Sequence, residues 1–133
     1  PTRREIQTDC FYPDEKVVKI TSDYELANFI YERRSYQSIE CYDYQFPPID
    51  FNESVLMGFQ ISCGGCLEAK ITSEVEIKKD SVILKIVANQ IGDCLVAKHT
   101  HYWVVLENMV YKDLLFNKIQ VNWILMKKWT LFY

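Results

Sequence analysis

The side chains with the most chemical potential in this chain are thiols and imidazoles. The five cysteines are Cys10, Cys41, Cys63, Cys66 and Cys94, and the two histidines are His99 and His101. Cys63 and Cys66 enclose Gly64-Gly65 in a Cys-x-x-Cys spacing. Redox pairs of this spacing sit at a helix N-terminus, where the dipole lowers the thiol pKa. Here the pair follows a strand-like run and precedes another, so that dipole is missing. A zinc site needs four ligands. Cys63 and Cys66 supply two, and His99 and His101 supply two more, because i and i+2 on a strand face the same way. Cys94 is a spare. The ligands are scattered rather than regularly paired, and two half-exposed strand histidines beside Tyr102 and Trp103 account for the same residues. A zinc or thiol enzyme built on Cys63, Cys66, His99 and His101 is therefore an alternative, not the main expectation.

An odd number of cysteines allows at most two disulfides in an oxidising compartment and leaves one thiol over. In the cytosol the same set would read as buried small hydrophobes, a metal site or redox chemistry. A hairpin from Ile71 to Val87 brings the turn at Cys66 close to the turn at Cys94. The expected bridge is thus Cys66–Cys94, closing a loop of about 27 residues and contributing a few kcal/mol by loop entropy. The pairing of the others stays open: Cys41 with Cys63, or Cys10 with either.

Nothing else in the chain points to catalysis. There is no Gly-x-Ser-x-Gly elbow, P-loop, dinucleotide fingerprint or calcium loop. Glu74 and Glu76 share a strand face and are ordinary exposed glutamates. No catalytic residue and no cofactor is expected, and the balance leans away from an enzyme. A net charge of -3 gives no field to attract nucleic acid. The basic pairs Arg3-Arg4, Arg33-Arg34 and Lys127-Lys128 read as solvated faces. The tyrosines offer flat apolar area with a polar tip, suited to a carbohydrate or protein surface, but their spacing makes no single platform.

The elements that position these residues are mostly strands. The 133 residues are 49% hydrophobic and 14% aromatic, consistent with one globular domain, 1–133, with a mobile lead-in at about 1–9. Lys16–Ile20 reads as a short strand. Ser22 with Glu25 has capping-box spacing, and Leu26, Phe29 and Ile30 form the apolar stripe of a helix fading near Arg33–Ser35. Pro47-Pro48 favour an extended segment, and Asp50–Ser54 a tight turn. Val55–Ile61 alternates onto one face, with Gly58 marking a bulge or a close backbone approach. Ile71–Ile77 reads as a half-buried antiparallel strand, Lys78–Ser81 as a hairpin loop, and Val82–Ala88 as a central strand. Leu95–Glu107 is the next strand, with Trp103 in the core. Asn108–Phe116 is a loop or single helical turn. Lys118–Met126 is a last strand turning Ile119, Val121, Trp123 and Leu125 inward, and Lys127–Tyr133 is an apolar tail. The predicted fold class is mainly β (α+β), an antiparallel sheet or β-sandwich with one N-terminal helix.

Several of these motifs occur together elsewhere. Leu26–Tyr31, Cys41, Pro48-Ile49-Asp50-Phe51-Asn52, Val55–Ile61, Gly64-Gly65-Cys66, Gly92-Asp93-Cys94 and Trp103 follow one another in the chain. In that order they resemble a group of small exported lipoproteins of Bacteroidetes-type bacteria. More distantly, Gly64-Gly65 and Tyr102-Trp103-Val104-Val105 are similar to positions in the protease-complex-stabilising subunit family. That family continues into a Pro-Lys step where this chain has Leu106-Glu107-Asn108. The resemblance implies export to the periplasm or cell surface, a lipid anchor upstream of Pro1, and the Cys66–Cys94 bridge. It implies no reaction.

The expected role is accordingly a non-enzymatic cell-envelope lipoprotein domain that binds or stabilises a protein or glycan partner. Gly64, Gly65 and Gly92, at one end of the hairpin, are the candidate binding surface, with Tyr102 as a contributor. The membrane would be reached only through the lipid anchor. A protease-inhibitor-like module inserting the Gly64-Gly65 loop into a cleft is the other alternative.

Overall fold

The structure, a computed structural model, describes residues 2–14, 16–78, 81–92, 94–108 and 119–127, the last stretch as backbone. The described elements are β1 (Thr2–Ile6), β2 (Val17–Ile20), α1 (Asp23–Arg33), two single 3-10 turns (Arg34–Tyr36 and Ile39–Cys41), β3 (Val55–Gly64), β4 (Leu67–Lys78), β5 (Ser81–Ile91), β6 (Ala97–Glu107) and β7 (Ile119–Lys127). The fold is mainly β, of the α+β class, with one α-helix among the described residues. The chain divides into two compact units, Pro1–Gln60 with His101–Lys112, and Ile61–Thr100 with Asp113–Tyr133.

In the first unit the helix follows from local sequence. Ser22 Oγ accepts the Glu25 amide at 3.1 Å, and the Glu25 carboxylate takes the Thr21 hydroxyl. Asp23 and Glu25 place negative charge in the first turn, where the helix dipole favours it. Phe29 is buried, and Leu26 and Ile30 pack at its sides against a core of Ile6, Phe11, Ile20, Phe51, Leu56, Trp103 and Val105. Arg33, expected on a solvated face, is instead anchored to this helix. Its guanidinium lies 3.7 Å from the Phe29 ring centroid, and it donates to the Phe29 carbonyl and to Asp14. A long side chain with an aromatic face and two acceptors within reach covers apolar surface rather than extending into water.

The strands of this unit form a sheet of order β1-β6-β3-β2. β2 runs antiparallel to β3, with Ile20 opposite Leu56. The segment expected as a mobile lead-in supplies β1, antiparallel to β6, with Ile6 opposite Trp103. Its own side chains carry no period. What holds it is the row of backbone groups that β6 would otherwise leave open, the burial of Ile6 in the core, and Arg4, which binds Glu107 and the Pro48 carbonyl.

Trp103 is fully buried. Its indole meets Phe29 and Phe46 edge-on and donates to the Phe11 carbonyl at 3.2 Å. Its six-membered ring lies directly on Gly58, where an added Cβ would stand 2.5 Å away, so Gly58 marks a close approach. Phe11 has φ 56°, a left-handed conformation costing a bulky residue roughly 1–2 kcal/mol. It is held there from both sides, since its amide donates to Gln37 Oε1 and its carbonyl accepts the indole. The adjacent Cys10 is bridged to Cys41, with the Cα atoms 5.5 Å apart. This is one of the pairings that the spacing left open.

In the second unit the sheet order is β4-β5-β7. β4 and β5 form the expected antiparallel hairpin, from Lys70 opposite Asn89 to Lys78 opposite Ser81. β5 is central and carries buried Val82, Ile83, Leu84, Ile86 and Ala88. On β4, Ala69 and Ser73 are buried, whereas Glu74, Glu76 and Ile77 face solvent. β7 pairs with β5 in parallel, Val82 opposite Ile119 through Gln90 opposite Lys127, where the alternating pattern suggested antiparallel pairing. A hairpin forces antiparallel neighbours, but β5 and β7 are separated by all of β6, and a connection of that length permits either direction. The expected inward face of β7, Lys79-Asp80 of the hairpin loop, the segment after Asn108 and the tail after Lys127 lie outside what is described. Among the described residues no helix is long and apolar enough to cross a membrane.

Candidate functional site at the bridged end of the β4–β5 hairpin

β3 ends at Gly64, and the chain reverses through Gly65 into β4. Gly65 is buried at φ 139°. A Cβ there would lie 2.8 Å from the Ile91 carbonyl, so backbone angle and space both demand glycine. The Gly65 amide donates to the Val96 carbonyl at 3.2 Å and the Cys66 amide to the Ile91 carbonyl at 2.7 Å. Gly92 has φ 80°, and a Cβ on it would stand 2.6 Å from Cys66 Sγ. The Gln90 side chain lies against Gly64 and donates to the Gly92 carbonyl at 3.3 Å. The two glycine turns are thereby laced together at one end of the hairpin.

The expected Cys66–Cys94 bridge closes this lacing, with the Cα atoms 4.8 Å apart and the Cys94 amide donating to Cys66 Sγ. With Cys10–Cys41 there are two disulfides among the described residues. Bonds of this kind persist in oxidising compartments, so the protein belongs to an extracellular environment in that sense. Cys63 is the cysteine outside both bridges, and its side chain is not among the described atoms.

Four apolar side chains at the bridged turns face water: Leu67, Ile91, Leu95 and Val96. Leu67 stands opposite Ile91 across the hairpin, and Leu95 and Val96 follow Cys94 directly. Leu95 is as exposed as a side chain can be, at 103%. The sequence pattern runs Leu95 and Val96 into the following strand and so hides them as surface residues. That strand begins at Ala97, which leaves both in the turn.

The other candidate residues sit elsewhere. Tyr102 belongs to the first unit and is buried at 8% exposure, its hydroxyl donating to Glu5 at 2.9 Å and its ring facing Phe59. It is a packing residue with a satisfied polar tip. His99 is exposed on β6 in the second unit, and His101 is half-buried in the first. His101 Nε2 bonds to the Thr8 carbonyl, which can only accept, so this nitrogen carries the proton. The imidazole also lies against Tyr12, with ring centroids 4.2 Å apart. The bridge removes Cys66 from the thiolates that a zinc or dithiol site would draw on. Among the described residues no group of three or more His, Cys, Asp or Glu could hold a metal.

No family model, curated protein or solved structure matches the chain.

Proposed function

We propose that the chain is a non-enzymatic domain of the cell envelope that engages a protein partner through the bridged end of the β4–β5 hairpin. One observation carries this: Leu67, Ile91, Leu95 and Val96 are exposed around two turns already immobilised by a disulfide and by backbone hydrogen bonds. An exposed apolar cluster on a soluble surface is a mark of an interaction site. Rigidity adds to it, because a pre-ordered surface loses little conformational freedom on binding. Gly65 and Gly92 serve this surface by letting the turns close, and Gly64 by lying against the Gln90 side chain, rather than by touching the partner themselves. The resemblance to exported lipoproteins supports periplasmic or cell-surface display on a lipid anchor upstream of Pro1, and the disulfides agree with export. The distant similarity to the protease-complex-stabilising subunit family supports a stabilising role. An inhibitor-like insertion of Gly64-Gly65 is less favoured, since Gly65 is buried with its amide already bonded.

The test compares the wild-type protein with a Leu95→Asp, Val96→Asp variant, both immobilised and exposed to envelope extract of the native host, with quantitative mass spectrometry of what is retained. Both positions face water, so the variant should unfold at the wild-type midpoint. The expected result is a partner retained by the wild type and lost from the variant. Identical retention by both proteins would sink the proposal.

A further inference from the structure

We propose a second binding site, in the first unit and independent of the hairpin end: the two clefts at the C-terminal end of α1 take a neutral oligosaccharide. Tyr31 and Tyr36 are 82% and 85% exposed, and Tyr24 and Tyr42 also face water. They differ from Tyr44 and Tyr102, whose rings pack on Phe11, Phe46 and Phe59. The α1 end and the two 3-10 turns gather Tyr31, Tyr36 and Tyr42, with Tyr12, around two depressions, whereas Tyr24 lies at the other end of the helix. One, of about 470 Å³, is lined by Tyr12, Asp14, Glu32, Arg33, Tyr36 and Gln37. The other, of about 700 Å³, is lined by Tyr31, Glu32, Arg34, Ser35, Tyr42 and Asp43. Both fall within the ~300–1,000 Å³ usual for small-ligand sites, and Glu32 borders both.

The polar frame is fixed to the core. Arg33 is only 19% exposed, lies on the Phe29 ring, and holds Asp14 Oδ1 at 2.7 Å. Asp14 itself remains 59% exposed, so its other oxygen is open to a ligand. Each cleft therefore offers two tyrosines, two carboxylates and a guanidinium. A pyranose matches this set. Its C–H face lies on an aromatic ring, and its hydroxyls donate to carboxylates in short, charge-assisted hydrogen bonds.

The carboxylates also argue against a protein covering this face. Protein interfaces are depleted in Asp and Glu at their centres, because burying a carboxylate with an oxygen left unsatisfied is costly; sugar hydroxyls satisfy that oxygen directly. The neutral class follows from charge. Asp14, Glu32 and Asp43 outnumber Arg33 and Arg34, and Arg33 is already shared between Asp14 and Glu32. A uronate or sulfated chain would meet net negative charge.

The experiment applies the full, oxidised protein to a glycan array of neutral hexose, pentose and N-acetylhexosamine oligomers, with polygalacturonate as the acidic control. The best neutral ligand is then titrated into isotope-labelled protein and followed by NMR. A saturable neutral oligosaccharide that shifts amides within residues 31–43 is expected. Tyr31→Ala and Tyr36→Ala should each weaken binding roughly tenfold with the unfolding midpoint unmoved, and Leu95→Asp should leave binding intact. The proposal is overturned if no neutral glycan binds, if only polygalacturonate binds, or if both tyrosine variants keep wild-type affinity. It is equally overturned if the tyrosine variants lose only a protein partner.

Discussion

Replacing Gly58 with alanine should destabilise the protein, although the usual effect of this change in a strand is the opposite. Gly58 lies within β3 and its φ is not in the left-handed region. At such a position Gly→Ala ordinarily gains roughly 0.5–1 kcal/mol by restricting the unfolded chain. Here the new Cβ would meet Trp103 Cζ3 at 2.5 Å, and Cε3 and Cη2 at 2.7 Å. Comfortable carbon contacts need about 3.5–4.0 Å, so the ring must retreat by about 1 Å. It has nowhere to go, with Phe29 and Phe46 at its edges and Nε1 tied to the Phe11 carbonyl. Overpacking of this kind costs about 1–3 kcal/mol, and losing the indole hydrogen bond adds about 0.5–1.5 kcal/mol. After the backbone gain is subtracted, the net expectation is a loss of about 1–3 kcal/mol. Urea unfolding of the oxidised protein, followed by circular dichroism and fluorescence, should show the midpoint fall by roughly 1 M. The same change made in a Trp103→Phe background should cost far less, because the smaller ring gives room, so the two substitutions should be strongly non-additive. A Gly58→Ala protein at least as stable as wild type, or an additive cycle, would refute the close approach as the reason for this glycine.

The remaining expectations are simpler. Cys66→Ala with Cys94→Ala opens a bridge of sequence separation 28, and loop entropy predicts a loss of about 3.6 kcal/mol at 25 °C; an unchanged denaturation midpoint in the double variant would count against the bridge. Ser22→Ala removes the oxygen that accepts the Glu25 amide and should cost about 1 kcal/mol, whereas Ser22→Gly should cost only a few tenths. Equal losses from the two substitutions would mean that the cap is not the source of the effect.

The candidate site was partly legible. The proximity of Gly64, Gly65 and Gly92 is legible because a hairpin brings its two ends together wherever its register falls, and Cys66–Cys94 follows from that geometry. Tyr102 was assigned to the surface on its residue type, but the pleat turned it toward Phe59 and Glu5. Leu95 and Val96 were invisible as surface residues, since apolar residues beside a strand pattern are counted into the strand.

By itself the sequence determined what depends on near neighbours. The cap at Ser22, the apolar stripe of α1 and the doubly apolar β5 are written in spacings of two to four residues, and chain connectivity guarantees those contacts. Tertiary structure alone decided that residues 2–6 join β6, that β7 lies parallel to β5, and that Cys10 reaches Cys41. It also decided that Trp103 is what Gly58 makes room for, and that tyrosines scattered between residues 12 and 42 border common clefts. The reason is that strand pairing at a distance uses backbone groups that every residue carries alike. Which strand, thiol or ring meets which is selected only when the whole core is packed.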